Sequence, residues 1–337
     1  MHDRCYNVLA DGIPGRETVP NINKGNSFDG NLVSASPFYL IYNEVIRLKI
    51  GFTGAGKVGC SLGRLFVQGG VWVTGYYSRH LKSAHEAAAF TQTRCYDSLS
   101  DLVRDSDALF LTVPDDKITA IYRQLIQCCS VKGKYICHCS GAMTAEEAFP
   151  GAGALGAKIC SIHPLFPVNS KLTSYRELTD AFFCLEGDTE TANFWTQQLK
   201  ALGLKTQKIN AESKVRYHAA CAVASNLICG LAGMSLSMLE SCGFTETDAR
   251  RALSPLMRSN LEHILQDGPV AALTGPAERC DTGTVEKHLQ CFSAEDQRVL
   301  YCAATTALIS LAEQKHPEQD YNALKELLKN GGKINGK

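Results

Sequence analysis

The run Gly54-Ala55-Gly56-Lys57-Val58-Gly59 constrains this chain more than any other feature. It follows a short apolar stretch, Arg47 to Thr53, and opens a segment, Val58 to Gln68, that carries Leu62, Leu65 and Phe66 at helical spacing. A G-x-G-x-x-G pattern between a strand and a helix serves dinucleotide binding. The first glycine permits the tight turn, the second lets a pyrophosphate approach the backbone, and the third lets the helix pack on the strand. Free N–H groups and the positive end of the helix dipole then face the phosphates. Gly54, Ala55, Gly56, Lys57, Val58 and Gly59 are therefore candidate cofactor-binding residues. The alternative is a structural glycine turn that holds nothing.

The second strand, expected over Val71 to Tyr77, decides between dinucleotides. An NAD site places an acid about 20 residues after the loop begins, where it accepts from the ribose hydroxyls. No Asp or Glu lies between Val71 and His85. The strand ends instead in Tyr76-Tyr77-Ser78-Arg79-His80. A hydroxyl and a guanidinium suit a 2′-phosphate, so Ser78 and Arg79 point to NADP. A solvated surface arginine is the competing reading. Two further loops stand at expected strand ends, where ligands bind in open α/β sheets. Val113-Pro114-Asp115 joins the cofactor candidates, and Ser140 stands in Cys139-Ser140-Gly141-Ala142. Either loop can edge the nicotinamide or the substrate, or be a plain turn.

Beyond the loop, helical patterns at 84–90, 99–104, 118–126 and 191–202 alternate with short apolar runs. Those runs lie at 108–113, 135–139, 158–162, 181–185 and 204–209, the third ended by Pro164. This alternation means an α/β fold with a parallel, doubly wound Rossmann sheet. After Asn210 the segments 212–242, 245–266, 284–291 and 294–314 all read as helices, with Gly243 as a stop for the first. The expected organisation is a flexible extension over 1–44, a cofactor domain over 45–210 and an all-helical substrate and dimerisation domain over 211–330. The polar tail from Lys329 is expected to fray.

The chemistry needed for hydride transfer to a carbonyl or imine includes a proton donor. Lys214, His218 and Asn226 recur at i, i+4 and i+12, taken here as one helical stripe. Ser140 and His163 are expected to face them from the sheet. A histidine titrates nearest neutral pH, so His218 ranks first as acid or base. Lys214 follows as electrostatic partner and Asn226 as an orienting group. Competing readings are a core histidine, a solvated lysine and a helix brace.

Charge and composition set further bounds. The 34 basic and 34 acidic residues cancel, so no basic excess draws the chain to nucleic acid or anionic membrane. No uninterrupted apolar run reaches roughly 18 residues; Tyr217 to Met238 is broken by His218, Ser225, Asn226 and Ser235. Cytoplasm is the expected compartment. The 15 cysteines, without a secretory signal, read as reduced, mostly buried thiols. Cys160 and His163 lack a second ligand pair at zinc spacing, and no metal is expected. Leu227, Ile228, Leu231, Met234, Leu236, Met238 and Leu239 spread around one helix axis. Such a helix must be buried on most sides, which predicts a homodimer.

Several separated motifs carry a family resemblance. They are Ser140-Gly141-Ala142, Ile162-His163-Pro164-Leu165-Phe166-Pro167, Tyr217-His218-Ala219-Ala220 with Ser225-Asn226, Leu273-Thr274-Gly275-Pro276, and Arg279 to Asp281 with Thr284 and His288. Together, over about residues 46–315, they resemble Rossmann-like proteins with a C-terminal domain of unknown function 2520. Cys280 stands where that resemblance implies glycine. More distantly the chain resembles pyrroline-5-carboxylate reductase, ketopantoate reductase and the 3-hydroxyacid and prephenate dehydrogenases. The resemblance implies NADP or NAD on the first domain, dimerisation through the helices, and a small-molecule substrate. The reaction class implied is hydride transfer to or from a carbonyl, hydroxy or imino compound. A non-catalytic NADP-binding regulatory protein is the alternative. His288 is expected to pair with Asp281.

Overall fold

The computed structural model describes residues 48–331. The expected extension over 1–44 and the end of the tail lie outside the described residues. Strand β1 (Ile50–Thr53) is buried at all four positions, as a central parallel strand covered on both faces must be. It leads through the glycine loop into α1 (Lys57–Gln68), then β2 (Val73–Tyr77), α2 (Leu81–Thr91) and β3 (Arg94–Cys95). The chain returns through α3 (Leu99–Asp105) to β4 (Ala108–Leu111), α4 (Asp115–Cys128), β5 (Tyr135–His138), α5 (Ala145–Ala148) and β6 (Lys158–Leu165). The sheet ends with β7 (Phe182–Gly187), α6 (Thr189–Ala201) and β8 (Lys205–Lys208).

The strand order is β3-β2-β1-β4-β5-β6-β7-β8. It reverses direction between β1 and β4, and that reversal opens a crevice at the carboxyl ends of the strands. One face of the sheet is sealed by aromatic packing: Phe52 on Tyr76 at 5.3 Å and Phe110 edge-on to Trp195 at 5.2 Å. The other face holds Leu109, Leu111, Ile136, Tyr122 and Phe149.

Two expectations for the sheet need correction. It is not wholly parallel: β7 runs antiparallel to β6. Nor does Pro164 end β6, which continues to Leu165. Pairing with β5 stops at Ser161, so Pro164 pairs only with Phe183 on the β7 side. There its missing N–H falls on a locally open edge, where proline is tolerated.

The rest is helical: α7 (Lys214–Ala224), α8 (Asn226–Ser241), α9 (Glu246–Asp267), α10 (Pro269–Ala272), α11 (Thr282–Cys291), α12 (Glu295–Lys315) and α13 (Asn322–Gly331). The single helix expected over 212–242 is thus two. Ser225, at φ −125° and ψ −71°, breaks it. Gly243, at φ +93°, follows the end of α8 as expected. A separate core of Leu273, Val285, Ile309, Tyr321 and Leu324 holds the last helices together. By contrast, Lys214 and Ala249 are the buried residues of α7, α8 and α9. By length and composition the stretch 211–241 is apolar enough to cross a membrane, a possibility the interruptions in the sequence had hidden. Its most apolar window is not buried against the rest of the chain, while Lys214 ties its first turn to the sheet.

Cys280 has φ +55°, the left-handed region that glycine enters without strain. The family resemblance implies glycine at this position. Relief of the strain opposes the greater freedom of glycine in the unfolded chain and the loss of the Cys280 Sγ contact with the Asp320 carbonyl at 3.3 Å. We expect Cys280→Gly to stabilise the fold by about 0.5 kcal/mol, measured by urea unfolding. A loss of stability would mean that the thiol contact outweighs the strain.

Candidate functional site

The glycine loop behaves as its spacing requires. Gly54 has φ +106°, and a Cβ there would meet the Thr112 carbonyl oxygen at 2.6 Å. At Gly59 a Cβ would meet Thr112 Oγ1 at 2.3 Å, so α1 packs hard on the sheet. Over Gly56 the space is open. The N-terminus of α1 has no side-chain cap and no acid in its first turn, which leaves its N–H groups and dipole for an anion. Gly54, Ala55 and Gly56 line a cavity of about 300 Å³ that runs to Ser78 and Arg79, with Val113 and Pro114 on the other side. Thr53 Oγ1, buried at the mouth of the loop, has no hydrogen-bond partner among the described residues. This donor set fits a phosphorylated dinucleotide. Lys57, Val58 and Gly59 form the first turn of α1 rather than the cavity wall.

The neighbouring strand ends carry a second cluster. Ser140 Oγ donates to Asp115 Oδ2 at 2.6 Å and accepts from the amides of Ala142 and Met143 at 3.3 and 3.1 Å. Its own N–H donates to Nδ1 of His138 at 3.1 Å. Every capacity of the Ser140 hydroxyl is spent, so it positions the loop and Asp115. His138 is fully buried, and burial, aided by the Lys214 charge, holds its pKa down to about 3. It is neutral, with the proton on Nε2, which meets no partner among the described residues. Tyr217 OH lies 2.7 Å from His163 Nδ1. Burial first, then Lys214 and His218, lower the His163 pKa to about 4.

Lys214 is not the solvated charge it resembles in the sequence. It is fully buried. Its ammonium donates to Ser161 Oγ, which in turn donates to the Ser140 carbonyl at 3.3 Å. Desolvation lowers its pKa, and the buried Glu186 carboxylate opposes that shift. Lys214 therefore acts on the site through its field, not by contact with a ligand. His218, four residues on, is half-buried and lies against Gly141. A Cβ on Gly141 would come within 2.3 Å of His218 Nδ1 and 3.0 Å of His163 Nε2, so only glycine lets the helix approach this closely. His218 Nδ1 has no partner among the described residues.

Asn226 does not share this face. Twelve residues at 100° each leave it about 120° around the axis from Lys214, and the Ser225 break intervenes. Asn226 is exposed. His288 pairs with Tyr301 OH at 2.7 Å, not with Asp281, which caps α11 through Thr284. All fourteen described cysteines are free, but only five are buried. Sequence reasoning missed His138, Tyr217, Ser161 and Glu186 as members of the cluster. His138, two residues before Ser140 at the end of an apolar run, carried the one available signal.

Residues 42–164 match the Rossmann-like domain family, and residues 181–308 match the domain of unknown function DUF2520. The chain carries a Rossmann-like domain joined to a DUF2520 domain. The DUF2520 match takes in β7, α6 and β8 as well as the helices. Among solved structures, the Thermotoga maritima protein TM1727 is 26% identical with a TM-score of 0.61, covering 79% of this chain and 99% of its own. A candidate NADP oxidoreductase from Bacteroides fragilis is 17% identical at TM-score 0.60, covering 80% and 98%. The Plasmodium falciparum pyrroline carboxylate reductase with NADP bound is 13% identical at 0.50, covering 86% and 100%. The last two likenesses are of fold. No curated protein matches the chain.

The two neutral histidines make a sign prediction. Their folded pKa values, about 3 and about 4, lie below the ordinary 6.5. Below pH 6.5 the unfolded chain binds protons that the native chain refuses, so stability falls as pH falls toward 4. The pair contributes at most about 2.7 kcal/mol per pH unit. We expect urea unfolding between pH 7 and 5 to show this loss, and His163→Gln to remove about half of the slope. An unchanged slope would mean that His163 titrates normally in the fold.

Proposed function

We propose that this chain is an NADP-dependent oxidoreductase that transfers hydride to or from a small carbonyl, hydroxy or imino compound. One observation carries the reading. A glycine loop opens on a cavity ending at Ser78 and Arg79, and the adjacent strand ends set His218 against Gly141. The NADP in the pyrroline carboxylate reductase of the same fold agrees with it.

When bound, NADP supplies or takes the hydride. The chain's own residues do the rest. Gly56 and the uncapped start of α1 hold the pyrophosphate, and Ser78 with Arg79 holds the 2′-phosphate. Val113 and Pro114 line the path toward the strand ends. There His218 exchanges a proton with the substrate oxygen or nitrogen. Tyr217 fixes the ring of His163, and Ser140 fixes the loop and Asp115. Lys214 supplies a buried positive field. Asn226 takes no part.

A homodimer built on the DUF2520 helices belongs to the same proposal. Leu227, Ile228, Leu231, Leu256, Leu261 and Leu265 are all exposed on α8 and α9, and large apolar side chains left exposed together mark an interaction surface. A cytoplasmic setting, where free thiols stay reduced, completes it.

Two measurements follow. Calorimetric titration should give tighter binding of NADP than of NAD. Arg79→Ala should weaken NADP roughly tenfold or more, the worth of a charged hydrogen bond, and leave NAD nearly unchanged. Equal or tighter NAD binding would contradict the cofactor assignment. Light scattering at micromolar concentration should give the dimer mass, and a monomer would contradict the assembly.

A further inference from the structure

The thiols of this chain divide by what surrounds them. Cys60, Cys137, Cys160, Cys184 and Cys302 are sealed in the interior, where a thiol is inert. Cys137 and Cys160 are register partners on β5 and β6, yet both are fully inaccessible to solvent. One pair is adjacent in the chain and reaches the surface: Cys128 and Cys129, at the end of α4. Both are free; Cys128 is exposed and Cys129 half-buried.

The helix end sets their geometry. Cys128 closes α4, while Cys129 turns extended at φ −148° and ψ 151°. The Cys129 thiol donates to the Ser100 carbonyl of α3 at 3.7 Å. The Cys128 thiol donates back to the Leu125 carbonyl at 3.3 Å. The two thiols also hydrogen-bond each other. Their sulfurs therefore stand side by side, held by contacts of weak donors that an incoming ligand displaces at little cost.

Two adjacent sulfurs are a ligand set for a soft ion. Structural zinc takes four protein ligands, and no group of three or more His, Cys, Asp or Glu among the described residues could hold a metal ion. The pair therefore suits an ion that is content with two. We infer that Cys128 and Cys129 form a dithiol site that takes one soft, thiol-seeking ion, trivalent arsenic or two-coordinate Cu(I), between their sulfurs. Once one sulfur is bound, the second binds within the same molecule, and such linkage strengthens binding by roughly 10²- to 10⁴-fold. With an arsine oxide, R–As=O, the step balances. Two As–S bonds form and the As=O bond breaks. The oxygen leaves as water with the two thiol protons, and no electrons change hands. Cu(I) likewise displaces thiol protons with no change of oxidation state. The site stands apart from the cofactor cavity: Ile121, the last α4 residue lining that cavity, is about 10 Å along the axis from Cys128.

The test uses the full chain and one probe for each ion. Phenylarsine oxide is titrated in excess glutathione, which competes for single thiols, and mass spectrometry of the chain and its peptides reads the adduct. One arsenic should add, on the peptide carrying Cys128 and Cys129, and dithiothreitol should remove it. Bound arsenic should also shield both cysteines from iodoacetamide, a reading that needs no variant. Cys128→Ser and Cys129→Ser should each weaken binding roughly 100-fold or more, with urea unfolding showing that both variants fold. Cu(I) is offered separately from its bathocuproine complex. Capture of arsenic alone identifies the ion as trivalent arsenic. Capture of Cu(I) alone, lost in the same variants, identifies the two-coordinate ion, and capture of both identifies soft ions as a class. Capture of neither, an adduct on other cysteines, or affinities unmoved by either substitution would overturn the dithiol site.

Discussion

A single buried ammonium organises the site. Lys214 reaches the middle of β6, bonds Ser161, and has its charge supported by the buried Glu186 carboxylate. Removing one partner from such an arrangement leaves an uncompensated buried charge, which is strongly destabilising. The first turn of α7 is therefore held in one place and one rotation. With Lys214 seated, the helical repeat brings Tyr217 to His163 and His218 to Gly141. The same charge helps to hold His138 and His163 neutral. Neutral imidazoles offer one donor and one acceptor each, so their hydrogen bonds stay fixed across physiological pH.

Two kinds of surface surround this anchor. Toward the sheet, groups are spent on one another: the Ser140 hydroxyl makes three hydrogen bonds, and its amide makes a fourth. Toward the glycine-loop cavity, groups are left unspent. The start of α1 is uncapped, Gly56 faces open space, and Thr53 Oγ1 has no partner among the described residues. A rigid scaffold beside uncommitted donors is how a preformed ligand site is built. The apolar faces of α8 and α9 are a different case. They are uncommitted because little of this chain's own core reaches them.

The features legible in the sequence were those set by local rules. The glycine loop was legible because spacing, strand and helix are contiguous, and the absence of an acid after β2 is visible in one short segment. Features decided by tertiary contact were not. Lys214 follows Glu212 and Ser213 and looks solvated; only the docking of α7 on β6 buries it. Pro164 ends a strand by its usual chemistry, and what spares β6 is the antiparallel neighbour β7 on the opposite side. Ser225 breaks a helix that composition alone would continue. His138 is marked in the sequence only by standing two residues before Ser140; its bond from the Ser140 amide shows that it braces that loop.

NADP is expected to cross from the glycine loop to the Ser140–Gly141 turn beneath His218. A crystal structure of the NADP complex tests this most directly. It should show the pyrophosphate over Gly56, the 2′-phosphate against Arg79, and the nicotinamide ring in contact with the Ser140–Gly141 turn on the His218 side. A nicotinamide ring turned out to solvent, away from Gly141 and His218, would contradict it.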